Sequence, residues 1–324
     1  MKDSASILIT GGAGFIGYHL TNYLLKKNYL IKIIDKFPIY YQNNNLKNFQ
    51  KYKNFSYSKI NLKFKIRKKF NDLSHVFHLA ASLGVKNINK NPYDSFKNNI
   101  NSLINLIDNL KNYNPNSTLI YFSSSEVYSP LIARKKLKLP AKEDVDLLVS
   151  KEVIKRDSYY LSKLIGEKIV QLSGLKYIIL RPHNIYGPQM GFRHVISELI
   201  KKIQATNNSK YKKCEIFSPY HSRSFCYIDD AIKQIVKISF NKKSHNKIFN
   251  IGNSKGEIKI FKLAKLIKNT LKSNVTLIEG SITPGSPTRR VPDIKKTLKL
   301  TKLKKLVKLE EGIEKTIEWF NETN

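Results

Sequence analysis

Tyr159 and Lys163 are the two residues whose types and spacing best fit acid–base chemistry. They stand four positions apart in a segment of helical periodicity, so both side chains lie on one face of the predicted helix. A phenol has a pKa of about 10 in water, which is too high for a base at neutral pH. A neighbouring ammonium group lowers that pKa because it stabilises the phenolate. The pair therefore predicts a tyrosine base that removes a proton from a substrate hydroxyl.

Three consecutive serines add a hydroxyl group to this hypothesis. Ser123, Ser124 and Ser125 follow a short apolar segment that is typical of a buried strand. The carboxyl ends of parallel strands line the ligand crevice of a doubly wound sheet. A serine at such a strand end is placed to hydrogen-bond the reacting oxygen. Because a YxxxK spacing alone often occurs by chance, these serines strengthen the interpretation of Tyr159 and Lys163 as a catalytic pair.

A glycine pattern near the N-terminus predicts a dinucleotide site. Gly11, Gly14 and Gly17 follow a predicted strand and open a predicted helix. This arrangement lets the backbone turn tightly and approach a pyrophosphate, with helix N–H groups aimed at its charge. The next strand is followed by Asp35, 18 residues past Gly17. A carboxylate there accepts both ribose hydroxyls and repels a 2′-phosphate, which favours NAD over NADP, although the neighbouring Lys36 argues the other way.

Strands and helices alternate through the first half of the chain. Short β-branched apolar runs predict buried strands, and longer segments with apolar residues every three or four positions predict helices. This alternation predicts an α/β protein with a doubly wound parallel (Rossmann) sheet. The predicted strands are Ile7–Thr10, Leu30–Ile34, His75–Leu79, Leu119–Ser123, Tyr177–Leu180 and Lys247–Ile251. The predicted helices are Phe15–Lys27, Pro92–Leu110 and Ser158–Leu172.

The pattern loosens after residue 181, which predicts a smaller C-terminal α/β domain for the substrate. We expect residues 1–180 with about 224–252 to form the NAD-binding Rossmann domain. Residues 181–223 and 253–324 are expected to form the substrate-binding domain. The irregular segment Ser129–Asp157 is expected to be a surface excursion or a lid.

The formal net charge of +34 is spread over nearly the whole chain. This dispersion indicates solvated basic faces and no specific nucleic-acid site, although the charge attracts anionic ligands. Eight of the 58 basic residues are arginines, and arginine in a lysine-rich chain suggests bidentate recognition of a diphosphate. Five of them lie beyond residue 180: Arg181, Arg193, Arg223, Arg289 and Arg290.

Targeting and redox signals are absent from the sequence. No apolar stretch approaches the roughly 20 residues that cross a bilayer, and Met1–Ser6 lack the apolar region of a secretory signal. Cys214 and Cys226 have no CxxC spacing, which predicts reduced thiols without a disulfide or a zinc site. We expect a cytoplasmic protein that contacts no membrane and binds no metal.

The chain resembles the extended short-chain dehydrogenase/reductase family, in its nucleotide-sugar epimerase/dehydratase branch, over nearly its whole length. The resemblance rests on the glycine pattern, the Tyr159–Lys163 pair and six further motifs. These are His78–Ala81, Phe122–Tyr128, Arg181–Pro188, Arg223–Asp230, Phe249–Gly252 and Arg289–Asp293. It implies an NAD-dependent enzyme that acts on a nucleoside-diphosphate sugar and forms a homodimer through a four-helix contact.

The resemblance also implies roles for individual residues. Ser124 would be the catalytic hydroxyl, Tyr159 the base, and Lys163 its partner, which also holds the nicotinamide ribose. The implied cofactor-binding residues are Gly11, Gly14, Phe15, Ile16, Gly17, Asp35, Leu79, Ala80, Tyr159 and Lys163. The implied substrate-binding residues are Ser125, Asn184, Arg223 and Arg290, with both arginines on the diphosphate. His183 and His221 are further candidates for substrate contact, and Asn99 matches a helix residue beside the site or is an ordinary polar helix position.

The family shares a first step, in which the C4 hydride of the sugar moves to NAD⁺ while the base takes the hydroxyl proton. Return of the hydride to the other face of the 4-keto sugar gives a 4-epimer. Loss of water across C5 and C6 gives a 4-keto-6-deoxy sugar, and a C6 carboxylate would instead leave as carbon dioxide.

Two segments give conflicting indications about which of these reactions follows. Glu126 is a further candidate catalytic residue. It stands two residues after Ser124, so that on an extended backbone both point to the same side. An acid there is typical of dehydratases and uronic-acid decarboxylases in this branch, and the segment around Arg290 also resembles decarboxylases. Ala81–Lys86 instead lacks the decarboxylases' proline-containing loop and resembles epimerases. We expect 4-epimerisation, with 4,6-dehydration or UDP-glucuronate-type decarboxylation as alternatives, and a non-catalytic NAD- or nucleotide-sugar-binding protein as an alternative of another class.

Overall fold

The computed structural model describes residues 6–39, 46–82, 90–192, 194–283 and 287–323. The chain folds into two compact units. Unit 1 comprises Met1–Pro130, Val145–Pro182 and Ile232–Phe249, and unit 2 comprises Leu131–Asp144, His183–Ala231 and Asn250–Asn324. The expected domain limits placed residues 131–144 and 224–231 in the first domain, whereas both segments belong to unit 2.

The elements are numbered in chain order. The strands are β1 (Ser6–Thr10), β2 (Ile31–Asp35), β3 (Phe55–Lys59), β4 (Leu73–His78), β5 (Thr118–Phe122), β6 (Lys176–Pro182), β7 (Ile185–Tyr186), β8 (Lys213–Ile216), β9 (Ser222–Ser224), β10 (Cys226–Tyr227), β11 (Lys247–Ile251), β12 (Glu257–Lys259), β13 (Thr276–Glu279) and β14 (Arg289–Arg290). The helices are α1 (Phe15–Leu25), α2 (Pro92–Tyr113), α3 (Ser129–Ala133), α4 (Asp157–Leu172), α5 (Val195–Asn207), α6 (Ile228–Ser239), α7 (Ile260–Thr270), α8 (Lys295–Thr301) and α9 (Leu309–Thr323). Short 3₁₀ helices span Leu46–Phe49, Ser125–Tyr128 and Lys242–Ser244.

Unit 1 is built on the predicted Rossmann sheet. Its seven strands lie in the order β11-β6-β5-β4-β1-β2-β3, and the pairs from β6 to β3 are parallel. Six of the seven strands match predicted ones. The seventh, β3, lies at the edge of the sheet. It was not predicted because its sequence, Phe-Ser-Tyr-Ser-Lys, alternates aromatic with polar residues and contains no apolar run.

The core of unit 1 lies between the sheet and helices α2 and α4. Leu8 on β1 and Leu119 on β5 are fully buried against Leu106 and Leu110 of α2. Each such side chain contributes about 1.5–3 kcal/mol by its burial. This packing fixes the carboxyl ends of the strands, where the predicted site residues stand.

Unit 2 contains three small sheets in the part of the chain that the structure describes. β10 pairs with β7, β13 pairs with β8, and β9 lies between β12 and β14. Within the last of these, β9 is antiparallel to β12 and parallel to β14. Among the described helices, none has the length and apolar character needed to span a membrane.

Candidate active site

The predicted glycine loop connects β1 to α1. Gly11 has a φ of +70°, and a Cβ atom there would lie 2.7 Å from the backbone nitrogen of Ala80. A Cβ atom on Gly17 would lie 2.5 Å from the carbonyl oxygen of Gly11. Only glycine fits both positions without movement of the backbone. Gly14, the exposed N-cap residue, leaves the first turn of α1 without a side-chain cap, so its N–H groups are available to an anion.

Asp35 at the end of β2 is bonded to this loop. Its Oδ2 atom accepts a hydrogen bond from the Ala13 N–H at 3.1 Å, and Oδ1 accepts one from the Phe37 N–H at 3.2 Å. Burial raises the pKa of Asp35, while these N–H groups and the charge of Lys36 act in the opposite direction. Asp35 therefore stands where the sequence placed it, beside the glycine loop.

Leu79 and Ala80 follow β4 and lie next to β1. The Leu79 N–H donates to the carbonyl oxygen of Thr10 at 3.1 Å, and the Ala80 N–H donates to Oγ1 of Thr10 at 3.2 Å. The same Thr10 hydroxyl lies 2.8 Å from Nδ1 of His78. Burial, with a smaller effect of the Lys163 charge, lowers the pKa of His78 to about 3. His78 is thus a neutral structural histidine.

Three of the predicted catalytic residues, Ser124, Tyr159 and Lys163, come together in unit 1. Helix α4 carries both Tyr159 and Lys163. The Nζ atom of Lys163 donates a hydrogen bond of 2.7 Å to the carbonyl oxygen of Phe122 and lies 6.0 Å from the centre of the Tyr159 ring. The Ser124 side chain lies close enough to the Tyr159 hydroxyl to lower its pKa.

The pKa of Tyr159 differs from the expectation in direction. Burial raises it above its ordinary value, the Ser124 side chain lowers it, and the charge of Glu126 raises it. Burial lowers the pKa of Lys163 to about 7, while Glu167 acts in the opposite direction. The expected net lowering at Tyr159 is therefore wrong for the protein alone, because desolvation outweighs the effect of Ser124 and the charge of Glu126 acts in the same direction as burial.

The chain after Ser124 turns, so the expected extended backbone there is wrong. The Oγ atom of Ser124 accepts a hydrogen bond from the Glu126 N–H at 3.1 Å and thereby caps the 3₁₀ helix Ser125–Tyr128. Ser125 is buried, at 3% exposure. A serine side chain that bonds a backbone N–H two residues ahead is an ordinary cause of such a turn.

The carboxylate of Glu126 is bonded to Arg156 and to Ser129. Its Oε1 atom lies 3.7 Å from Nη2 of Arg156, and its Oε2 atom accepts a hydrogen bond of 2.9 Å from Ser129. Sequence reasoning missed Arg156, although the scarcity of arginine would have singled it out had it been applied to the whole chain.

Two of the other arginines expected at a diphosphate have protein partners. Arg181 is bonded to Glu167 and to the Tyr128 hydroxyl at 2% exposure, so the diphosphate interpretation is wrong for it. Arg289 is paired with Glu257 near the surface. Arg193 lies outside the described residues, as do residues 83–86 of the predicted epimerase-like loop.

Unit 2 places Arg223 and Arg290 side by side. They are register partners on the parallel strands β9 and β14, and their exposed fractions are 8% and 7%. Asn184, at a φ of +36°, donates from Nδ2 to the Ser224 carbonyl oxygen at 3.0 Å. Burial lowers the pKa of His221, and the charge of Arg223 acts in the same direction.

His183 and Asn99 each form hydrogen bonds with residues of their own unit. His183 is buried in unit 2 with Nε2 at 3.1 Å from Oδ1 of Asn250, which indicates a structural histidine. Asn99 donates to Ser162 at 3.0 Å and accepts from the Ser82 N–H at 2.6 Å, so it connects α2, α4 and the chain after β4. In the described part of the chain, no three His, Cys, Asp or Glu side chains are grouped to hold a metal ion.

The sequence profile of the NAD dependent epimerase/dehydratase family matches residues 7–252. The chain belongs to this family. It is 29% identical to the UDP-N-acetyl-alpha-D-glucosaminuronate decarboxylase of Bacillus cytotoxicus, with 97% of each chain covered.

Two solved structures of UDP-sugar epimerases are similar to this family member. The UDP-N-acetylglucosamine 4-epimerase of Methanobrevibacter ruminantium is 25% identical, with a TM-score of 0.81 and 100% of each chain covered. The UDP-glucuronic acid 4-epimerase of Bacillus cereus, in complex with NAD and a fluorinated UDP-sugar, is 26% identical with a TM-score of 0.81. That alignment covers 98% of this chain and 100% of the other.

This epimerase/dehydratase is accordingly an enzyme whose cofactor is NAD. Its residues fit the cofactor. The backbone of the glycine loop forms a cradle that a Cβ atom on Gly11 or Gly17 would fill. The uncapped first turn of α1 suits a pyrophosphate, and the carboxylate of Asp35 beside it suits a ribose.

Proposed function

We propose that this chain is a nucleoside-diphosphate-sugar 4-epimerase that works through a transient 4-keto sugar. The bonding of Glu126 carries the proposal. Dehydration requires a group that donates a proton to the departing hydroxyl. Glu126 is instead paired with Arg156 and hydrogen-bonded by Ser129, and a guanidinium favours the ionised carboxylate. Epimerisation does not require an acid at position 126, because the reaction needs only a proton acceptor and the residues that support that acceptor.

The residues of unit 1 then have the following parts. Tyr159 takes the proton of the C4 hydroxyl on its phenolate oxygen, and the Ser124 hydroxyl donates a hydrogen bond to the same sugar oxygen. Lys163, fixed on the Phe122 carbonyl, supplies positive charge beside Tyr159. NAD⁺ held at this site would supply the hydride acceptor, and its positive charge would favour the phenolate. After the 4-keto sugar has presented its other face, Tyr159 returns the proton to the C4 oxygen as the hydride returns to C4.

The proposed function also assigns the residues that would bind the cofactor and the substrate. The cofactor would be held by Gly11, Gly14, Phe15, Ile16, Gly17, Asp35, Leu79, Ala80, Tyr159 and Lys163. Arg223 and Arg290, which are register partners on neighbouring strands, would hold the diphosphate, with Asn184 and Ser125 as further substrate contacts. All three relatives are named for UDP-sugars, so UDP is the proposed nucleotide.

Decarboxylation is the second candidate. The charge of Glu126 acts on the Tyr159 hydroxyl, so this acid lies close to the reacting group. One of the relatives is named as a decarboxylase. A C4 ketone beside a C6 carboxylate is a β-keto acid, which loses carbon dioxide readily.

Incubation with a panel of UDP-sugars and NAD⁺, followed by mass spectrometry and proton NMR, tests the proposal. The panel includes UDP-glucose, UDP-N-acetylglucosamine and UDP-glucuronate. We expect a product of unchanged mass with the opposite configuration at C4. Loss of one water would indicate a dehydratase, and loss of one carbon dioxide a decarboxylase. No product from any sugar, with binding intact, would favour the non-catalytic alternative.

A further inference from the structure

Arg181 at the end of β6 and Glu167 on α4 form a buried ion pair in unit 1. The Nε atom of Arg181 lies 2.9 Å from Oε1 of Glu167, and Nη2 lies 2.7 Å from Oε2. Each residue is 2% exposed. A bidentate pair fixes the direction of both side chains. Because desolvation offsets much of the attraction, such a pair is weak evidence for a gain in stability, and a positioning role has to be argued from its other contacts.

Two further hydrogen bonds connect this pair to both ends of the segment that carries Ser124. Ser123 donates to Oε1 of Glu167 at 2.5 Å. Nη1 of Arg181 lies 2.7 Å from the hydroxyl of Tyr128, which is the last residue of the 3₁₀ helix capped by Ser124. Residues 123–128 are thereby bonded at their first and last positions to one buried ion pair.

The same pair is fixed to the helix of the proposed base. Glu167 lies one helical turn after Lys163 and two turns after Tyr159 on α4. Ser124 on the first segment lies close enough to Tyr159 on the second to lower its pKa, so the reacting groups meet between the two segments that the ion pair connects. Reacting groups need placement within about 0.5 Å, which favours residues whose side chains are fixed by packing and hydrogen bonds.

The charge of Glu167 also acts on Lys163. The titratable groups around the Lys163 amine are Tyr159 and Glu167 on α4, Tyr121 on β5, and His78 on β4. The Lys163 amine lies 5.0 Å from the centre of the Tyr121 ring. Glu167 raises the pKa that burial has lowered to about 7, so it increases the charged fraction of Lys163 at neutral pH.

From these contacts we infer that Glu167, Arg181 and Tyr128 are positioning residues that hold the Ser124 turn against helix α4 and maintain the charge of Lys163. The inference rests on the proposed function, in which Ser124, Tyr159 and Lys163 carry out the proton transfer. None of the three positioning residues has to touch the substrate or the cofactor.

Glu167→Gln tests the part played by charge, because it keeps the shape of the side chain and removes the carboxylate. We expect the pKa of Lys163 to fall by about one pH unit, and the alkaline limb of kcat to move to lower pH by the same amount. The pKa is read from the ¹³Cε shift of the lysine by NMR, with assignment from Lys163→Arg. A lower melting temperature with an unchanged Lys163 pKa and pH profile would show that Glu167 has only a structural role. It would overturn the inference that Glu167 maintains the charge of Lys163.

Tyr128→Phe tests the positioning, because it removes one hydroxyl and leaves the ion pair intact. We expect kcat to fall about tenfold with KM and the Lys163 pKa unchanged. A kcat equal to that of the wild type would overturn the connection through Tyr128. This variant also covers the case in which Glu167→Gln does not fold.

Asn114→Ala is the matched control for general destabilisation. Asn114 is buried in unit 1, accepts a hydrogen bond from the Leu73 N–H at 3.0 Å and donates to Phe70 at 2.6 Å, away from the network. We expect a lower melting temperature with an unchanged Lys163 pKa and pH profile. The NMR measurement needs no substrate, so an enzyme without turnover on any UDP-sugar would remove the proposed function and still leave the effect of Glu167 measurable.

Discussion

Arg290 on β14 lies directly beside Arg223 on β9 in parallel register, and both side chains are buried. Register partners on neighbouring strands point their side chains to the same face of the sheet, and two guanidinium groups brought close together at low exposure repel each other unless an anion lies between them. A diphosphate offers several oxygens to such a pair, and arginine binds phosphate oxygens in a bidentate manner. This juxtaposition is the strongest support in unit 2 for a nucleoside-diphosphate ligand.

Replacement of either arginine is expected to weaken substrate binding more than catalysis. Arg223→Ala or Arg290→Ala should each cost about 2 kcal/mol of binding, which corresponds to roughly a 30-fold rise in KM, with kcat nearly unchanged. Titration calorimetry with UDP provides the same comparison without turnover. Arg289→Ala is the matched control, because the neighbouring Arg289 is exposed and paired with Glu257. An equal loss of UDP binding in all three variants would point to general charge attraction.

Tyr159→Phe is expected to abolish turnover, because it removes the proton acceptor and leaves the ring. Binding of NAD and UDP should stay within about threefold of the wild type, since no phosphate contact is lost. Tyr160→Phe serves as the control: the Tyr160 hydroxyl accepts a hydrogen bond from the Ser150 N–H at 3.2 Å. Turnover is measured by NMR of the sugar, and binding by calorimetry. Normal turnover in Tyr159→Phe would discard the mechanism.

Much of unit 1 could be predicted because its signals are local. β11 was predicted at both ends, Lys247 and Ile251, since a short apolar run between polar segments defines a buried strand. Gly11 and Gly17 were predicted from the spacing of the glycines. In the structure each of them lies against another part of the backbone, where a Cβ atom would not fit.

The errors have non-local causes. The assignment of Arg181 to a diphosphate was wrong because its partner could not be recognised in the sequence. That partner, Glu167, is 14 positions earlier in the chain, and their pairing depends on how α4 packs on β6. The turn after Ser124 is capped by a hydrogen bond from the Glu126 N–H, and such a side-chain-to-backbone bond leaves no periodic trace in the sequence. The direction of the Tyr159 pKa depends on burial, which a helical spacing does not define.

Gly17→Ala is expected to destabilise unit 1 and to weaken NAD binding. The new Cβ atom would meet the Gly11 carbonyl oxygen at 2.5 Å and Cα of Gly12 at 2.8 Å, so the loop must shift. Such overpacking costs about 1–3 kcal/mol, which thermal unfolding with and without NAD measures. Gly191→Ala is the control, because a Cβ atom there has no neighbour within 4 Å among the described residues. Equal stabilisation of Gly17→Ala and the wild type by NAD would argue against a cofactor on this loop.

Glu126→Gln separates the candidate reactions. An epimerase should keep kcat within about threefold, because its proton transfer uses Tyr159 and the amide can still bond Ser129. A dehydratase or decarboxylase that depends on this acid should lose most of its activity. Glu152→Gln, an exposed position in the same unit, controls for the change in net charge. A large loss of epimerase activity in Glu126→Gln alone would show that the carboxylate takes part in the reaction.

The buried amine of Lys163 predicts a pH dependence of stability. Its pKa is lowered by burial from 10.5 to about 7 in the folded protein, whereas the unfolded chain retains the ordinary value. Below pH 7 both states are protonated, and the folded state bears the full cost of a buried charge. Between about pH 7 and 10 the unfolded state binds more protons, so the free energy of unfolding rises with pH.

Comparison with Lys163→Met isolates this contribution, because the other titrating groups are common to both proteins. We expect the wild type to gain roughly 1 kcal/mol of stability per pH unit relative to Lys163→Met between about pH 7 and pH 9. Denaturant unfolding at several pH values, without cofactor, provides the measurement. Lys168→Met on the exposed side of α4 is the control and should show no such slope. A difference between wild type and Lys163→Met that is independent of pH would mean that the amine keeps its ordinary pKa. It would then be fully charged beside Tyr159 at neutral pH, and the charge-maintaining part assigned to Glu167 would have no basis.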